Sequence, residues 1–346
     1  MSRQTSGPTT IAMASLMPIF PDASDESEEQ NEDRSSAERR RGIPAPPGLV
    51  RAMRSVVGLK SSVPKDARTA ETLGTERGGH GIVIDDQGLV VTVGYLIMEA
   101  NSVEIVEPGG RSVPARVVAY DFSTGFGLVR ATLPTRVKPV SFGDSKSVKH
   151  KDAVTIAGFG GGAAQRAIVT DRRDFAGYWE YFIENAIFTS PPYESFGGAA
   201  LFTDDGELLG VGSLFIGDAY RGPSGVLPGN MFIPIDRLPA VLDMVNEGKR
   251  PGVGRPWLGL YAQQVPGGLV IAHVSPDGPA ARAGLRRGDA INSVGDVLVD
   301  EVSMFYRAVW SAGPAGTRIT LSIEREGDEF DVTIRTVDRY DFLKLD

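Results

Sequence analysis

The 346-residue chain has no cysteine and only three histidines, His80, His150 and His273. The first absence rules out disulfides and thiol chemistry; the second leaves too few imidazoles for a histidine-rich metal cluster. A basic excess is missing too. The 36 Lys and Arg residues face 44 Asp and Glu, a formal net charge of -8, which disfavours the phosphate neutralisation that nucleic-acid binding needs. No apolar run reaches the roughly 18 residues of a membrane-spanning helix, so no transmembrane segment is predicted.

Glycine, in contrast, is abundant. Its 42 residues exceed the usual ~7% and predict tight turns between short strands. Hydrophobic residues at 41% and charged residues at 23% are ordinary for a globular chain, and the length accommodates two domains and a tail. The glycine-rich "GFGGGAAQ" (158–165) lacks the Lys-Ser/Thr of a phosphate loop and reads as a hairpin loop. No cofactor and no metal are expected.

Residues 1–46 form the first region. Thr10 to Phe20 is mildly apolar, but only Arg3 precedes it with charge and Pro18 interrupts it, so it makes a poor signal peptide. From residue 21 onward Asp, Glu, Ser and Arg dominate. Such a stretch buries too little surface to offset its ordering entropy, and a disordered arm is expected over 1–46. Residues 47–248 then show short apolar alternations punctuated by glycine turns, such as the hairpin "HGIVIDDQGLVVTV". That density of strands predicts a mostly β domain, an antiparallel barrel or sandwich. "IDRLPAVLDMVNEG" closes the domain as a helix with Leu238, Val241, Leu242 and Val245 on one face. A Pro/Gly linker occupies 249–256, and 257–340 reads as a second, smaller α+β domain.

Two sets of motifs carry a family resemblance. Trp257-Leu258-Gly259-Leu260, "HVSPDGPAARAGLRRGDAINSVGD" and "SAGPAGTRITLSIEREG" resemble a PDZ domain of the HtrA/Deg type. The resemblance implies that amides around Leu258, Gly259 and Leu260 receive the terminal carboxylate of a peptide. A strand edge would then pair with the ligand, beside a wall drawn from Leu258, Leu260, Val302, Phe305 and Val309. Residues 47–248 resemble the trypsin-like double β-barrel protease domain of the same family. "LVVTVGYLI" matches the histidine segment with Tyr95 at the histidine position, and "DFSTGFGLVR" matches the aspartate segment with Gly125 at the aspartate position.

For the nucleophile, the family places its serine nine residues before a turn glycine. Counting back from Gly206 gives Gly197, and anchoring on the Gly-Gly pair gives Phe196. Only a register with two inserted residues gives Ser195. The favoured reading is therefore a triad lost at Tyr95, Gly125 and Gly197. Its rival is a displaced set of His80, Asp121 and Ser195. The residues "FAGYWEYF" (175–182) fall where the family carries a regulatory loop; they read as closing one end of a barrel, with recognition of apolar peptides as the alternative.

The resemblance implies a degenerate HtrA/Deg-like protein that binds peptide or protein C-termini as a scaffold, chaperone-like factor or protease regulator. The alternative is an active endopeptidase that uses displaced groups. An active protease is a candidate partner. A periplasmic location and a trimeric assembly are what the family implies.

Overall fold

The computed structural model describes residues 45–160, 164–177, 179–223, 225–252 and 254–345. The arm expected over 1–46 lies almost wholly outside the described residues, as does the centre of the glycine-rich loop. A first helix α1 (Pro47–Met53) starts with proline at its N-terminal turn, where the missing N–H costs nothing. It leads into β1 (Val56–Ser62), β2 (Glu76–Val83), β3 (Leu89–Val93), β4 (Ser102–Val106), β5 (Ser112–Tyr120) and β6 (Phe126–Ala131). These six close a barrel in the order β1-β2-β3-β6-β5-β4.

A second barrel is built from β7 (Ala153–Ala157), β8 (Gln165–Gly177), β9 (Tyr181–Ser190), β10 (Ala200–Phe202), β11 (Leu208–Gly222) and β12 (Gly225–Pro234). Its order is β10-β11-β12-β9-β8-β7, again closed. Closure leaves no sheet edge in either barrel, which is the all-β solution to the edge problem. The chain is mostly β, as its alternations and turn glycines predict. β1 is a strand that the alternation did not pick out: five of its first six residues are buried, so no period of two is visible in "VVGLKS".

The core between the barrels is continuous. Val57, Leu59, Val91 and Phe126 from the first barrel join Ala200, Phe202, Val211 and Ile233 from the second in one buried cluster. Helix α2 (Leu238–Asn246) seals it with Leu238 and Val241.

The last domain begins at β13 (Pro256–Trp257) and contains β14 (Leu260–Val265), β15 (Gly268–Val274), β16 (Ala290–Val294), β17 (Val297–Leu298), β18 (Arg318–Arg325), β19 (Asp328–Arg335) and β20 (Val337–Asp338). Helix α3 (Val302–Ser311) packs against them. The sheet runs β14-β15-β16-β18-β19, so β14 is an edge strand beside α3. After β20 the chain returns to the first barrel: Tyr340 and Leu343 enter its core, and buried Glu99 accepts from the Lys344 amide at 2.8 Å. Among the described residues no helix is long and apolar enough to cross a membrane.

Candidate functional site

A cavity of about 420 Å3 lies where the barrels meet the last domain. Its wall is rich in aromatic side chains, including Tyr95, Phe122, Trp179, Tyr181 and Phe196, with Tyr261 from β14. Of the three positions assigned to the lost triad, Tyr95 and Gly125 line this cavity and Gly197 lies next to Tyr95. Tyr95 sits in the short 3-10 turn Gly94–Leu96 that follows β3, and its hydroxyl donates to the Ser213 carbonyl at 3.0 Å. Burial and the neighbouring Tyr181 push its phenol well above the ordinary range, so it neither accepts a proton nor ionises near neutrality.

Gly125 occupies the turn between β5 and β6 at φ +82°, a conformation that favours glycine, and its carbonyl accepts from the Gly94 amide at 2.7 Å. A Cβ there would lie 2.5 Å from the Tyr181 hydroxyl. Tyr181 thus fills the space that an aspartate side chain would need. A Cβ at Gly197 would lie 3.0 Å from the Tyr95 hydroxyl, so position 197 faces position 95 across the cleft. The next residue, Gly198, has φ +78°, and any Cβ would overlap the His80 carbonyl, which explains the second glycine of the pair.

The rival set is partly assembled as well. His80 lies inside β2 and is only 4% exposed. Its Nε2 is 2.7 Å from Ser195 Oγ, so two of the three displaced candidates meet. The polarity of that pair is decided on the other side of the ring. The Phe159 amide donates to His80 Nδ1 at 2.9 Å, which leaves Nδ1 without a proton. Burial lowers the imidazole pKa to about 4 against the opposing effect of hydrogen bonding to Ser195, so the ring is neutral at pH 7. A neutral ring with bare Nδ1 carries its proton on Nε2 and donates to Ser195. A serine nucleophile requires the reverse, an Nε2 that accepts. Asp121 does not join them: its carboxylate receives the Ser123 amide and the Thr124 hydroxyl, both at 2.9 Å, and fastens its own turn.

The tip of the β8–β9 hairpin corrects the expectation for "FAGYWEYF" as a barrel closure. Phe175 and Tyr181 do belong to a cluster of the second barrel, but Phe182 belongs to the core of the last domain with Leu258, Leu260, Phe305 and Val309. Between them, Glu180 is buried. One carboxylate oxygen accepts from the Gly259 amide at 2.7 Å and the Leu260 amide at 3.3 Å, and the other from the Leu258 amide at 3.3 Å. The Tyr306 hydroxyl, from α3, accepts from the Glu180 amide and donates to the Gly177 carbonyl, each at 2.8 Å. Burial pushes the Glu180 carboxyl up to about 7, opposed by Arg339 and by the three amides.

Of the residues expected to receive a peptide, Leu258, Leu260, Phe305 and Val309 are buried, and Val302 packs beside them half-buried. Trp257, which the resemblance also assigns to the peptide site, lies with its ring 4.5 Å from Phe342 and behind Gly259. Sequence reasoning missed Glu180 and Tyr181. The one available signal was a lone carboxylate held between Trp179 and Tyr181 in an otherwise apolar, aromatic stretch.

Comparison with known proteins agrees with this architecture. A trypsin-like peptidase domain model matches residues 79–211, and a PDZ domain model matches residues 256–336. The chain belongs to the HtrA/DegP-like family. A probable periplasmic serine endoprotease DegP-like of Brucella suis is 31% identical over 277 residues, 74% of this chain and 52% of that protein. Its counterpart in Halomonas elongata is 29% identical over 290 residues, 77% of this chain and 57% of that protein. The chain therefore spans about half the length of these curated relatives. The solved structure of the HtrA-type protease AlgW with a decapeptide has a TM-score of 0.51 at 22% identity, covering 84% of this chain and 98% of that one.

Proposed function

We propose that this is a catalytically degenerate HtrA/Deg-like protein that binds peptide or protein C-termini through its PDZ domain. It would act as a scaffold, a chaperone-like factor or a regulator of an active protease. The domains run 47–248 and 257–340, joined by 249–256, and likeness to periplasmic relatives makes the periplasm the proposed location. The observation that carries the reading is the cleft itself. Where the family's base and orienting acid would stand, it has a phenol bonded to a backbone carbonyl and a glycine covered by Tyr181. Acyl transfer to serine needs a base within hydrogen-bond reach and a group that fixes that base's tautomer. Neither tyrosine nor glycine supplies these.

The second reading, an endopeptidase working through Ser195, is favoured by the 2.7 Å approach of His80. The tautomer fixed by the Phe159 amide opposes it, because Nε2 has its proton already.

The two readings separate in a paired assay on the full chain. Casein hydrolysis and labelling by a fluorophosphonate probe should match those of a Ser195→Ala control. Peptides with an apolar last residue should bind about tenfold or more weakly as C-terminal amides than as free acids, the effect of a charge-assisted hydrogen bond. Probe labelling or hydrolysis that vanishes with Ser195→Ala would establish the enzyme instead, and equal affinity for acid and amide would remove the carboxylate from the binding mechanism.

A further inference from the structure

The three amides that the PDZ resemblance assigns to a peptide carboxylate are engaged already. Leu258, Gly259 and Leu260 all donate to Glu180, 79 residues earlier than Gly259, across the domain boundary. Around that carboxylate, the rest of the binding groove is also filled from the hairpin tip. Phe182 packs among Leu258, Leu260, Phe305 and Val309, the wall expected to take a ligand's last side chain. The Trp310 ring meets Phe182 edge-on at 6.2 Å, and the Arg307 guanidinium covers it at 4.7 Å. Arg307 also pairs with Asp174 at 2.9 Å and Glu184 at 3.7 Å, one on each strand of the hairpin. Tyr306 completes the attachment through the Glu180 amide and the Gly177 carbonyl.

We infer that the PDZ carboxylate loop of this chain holds an internal ligand, the Glu180 side chain, and that a C-terminal peptide enters only by displacing the β8–β9 tip. The inference rests on the reading of the PDZ domain as a binder of C-termini. A side-chain carboxylate and a terminal carboxylate present the same two oxygens to the same amides, so the two compete for one site. Occupancy by the tip is intramolecular and lowers the apparent affinity for any external peptide by the fraction of molecules in which the loop is open.

The test compares the full chain with its Glu180→Ala and Tyr306→Phe variants, using short fluorescent peptides that end in Leu, Val or Phe. Each peptide is measured as the free acid and as the amide. Loss of the internal carboxylate should tighten the acid peptides about ten- to hundredfold and leave the amides nearly unchanged. Tyr306→Phe keeps the carboxylate but loosens the tip, and should give a gain of only a few-fold. It also serves should Glu180→Ala fold poorly.

Hydrogen exchange without peptide provides an independent readout: the segment 256–262 should exchange faster in Glu180→Ala than in the parent chain. Unchanged acid-peptide affinity in both variants, or unchanged exchange at 256–262, overturns the inference. If no peptide binds any variant while that segment does exchange faster, internal occupancy stands and the C-terminus-binding reading is the one that falls.

Discussion

Placing aspartate at position 125 should cost the chain about 2–5 kcal/mol of stability, the sum of an αL backbone and an overfilled site. Gly125 has φ +82°, where a side chain is strained, and its Cβ direction ends on the Tyr181 hydroxyl. Restoring the remaining positions is easier on steric grounds, because Tyr95→His removes the hydroxyl that faces Gly197. The triple variant Tyr95→His, Gly125→Asp, Gly197→Ser should nevertheless show no casein hydrolysis above background, since the new carboxylate cannot settle while Tyr181 holds its space. Residues of a triad act as a unit, so a chain with two of three restored gains almost nothing. Adding Tyr181→Ala should recover most of the overpacking part of the loss. Urea unfolding reads the stability term. A Gly125→Asp variant as stable as the parent would refute the assignment of Tyr181 as the occupant of that space.

The second large effect concerns pH. His80 has its folded pKa lowered to about 4 from 6.5, mainly by burial, so its proton binds more tightly in the unfolded chain. Its contribution to stability is fully present above pH 6.5 and is lost as pH falls towards 4, about 3 kcal/mol in all. Glu180 runs the other way. Burial raises its folded pKa to about 7 from 4.5, so its contribution is fully present below pH 4.5 and is lost as pH rises through 7, again about 3 kcal/mol.

The windows overlap with opposite slopes, and the parent chain should change little in stability from these two groups between about pH 4.5 and 6.5. Each substitution exposes the other group. Glu180→Gln should lose stability on acidification across that window, and His80→Gln should lose it on alkalinisation. Urea midpoints at half-unit pH intervals would show both. A His80→Gln variant with the same profile as the parent would mean that the imidazole is not held neutral in the fold.

How much of this was legible before the fold was known depended on the range of the interactions involved. The turn Asp85–Gly88, the hairpin strands around it and the helix over Leu238–Asn246 are set by nearby residues: a glycine at φ +76° between two short runs rich in Val and Ile, and an apolar face of period 3.6. These are local signals, and they specified a β-rich barrel or sandwich and a following α+β domain; the pairing of two barrels is what the family resemblance implied. The family resemblance brought Tyr95, Gly125 and Gly197 to attention, and the fold places Tyr95 near both glycines. β1 escaped because it has neither an alternation to read nor a hairpin turn beside it, whereas β3, buried at every position, is marked by the turn at Gly88.

Tertiary structure alone decided the chemistry of the sites. The tautomer of His80 depends on the Phe159 amide, 79 residues away; the partner of Gly125 is a tyrosine 56 residues downstream; Tyr306 reaches the Glu180 amide across 126 residues. A hydrogen-bond donor or a filled space carries no signature in the sequence around the residue it acts on. In "GYWEYF" the carboxylate of Glu180 is simply an acid among aromatics. Only when the hairpin tip meets the PDZ loop do three backbone amides, which any residues could have supplied, make it a ligand.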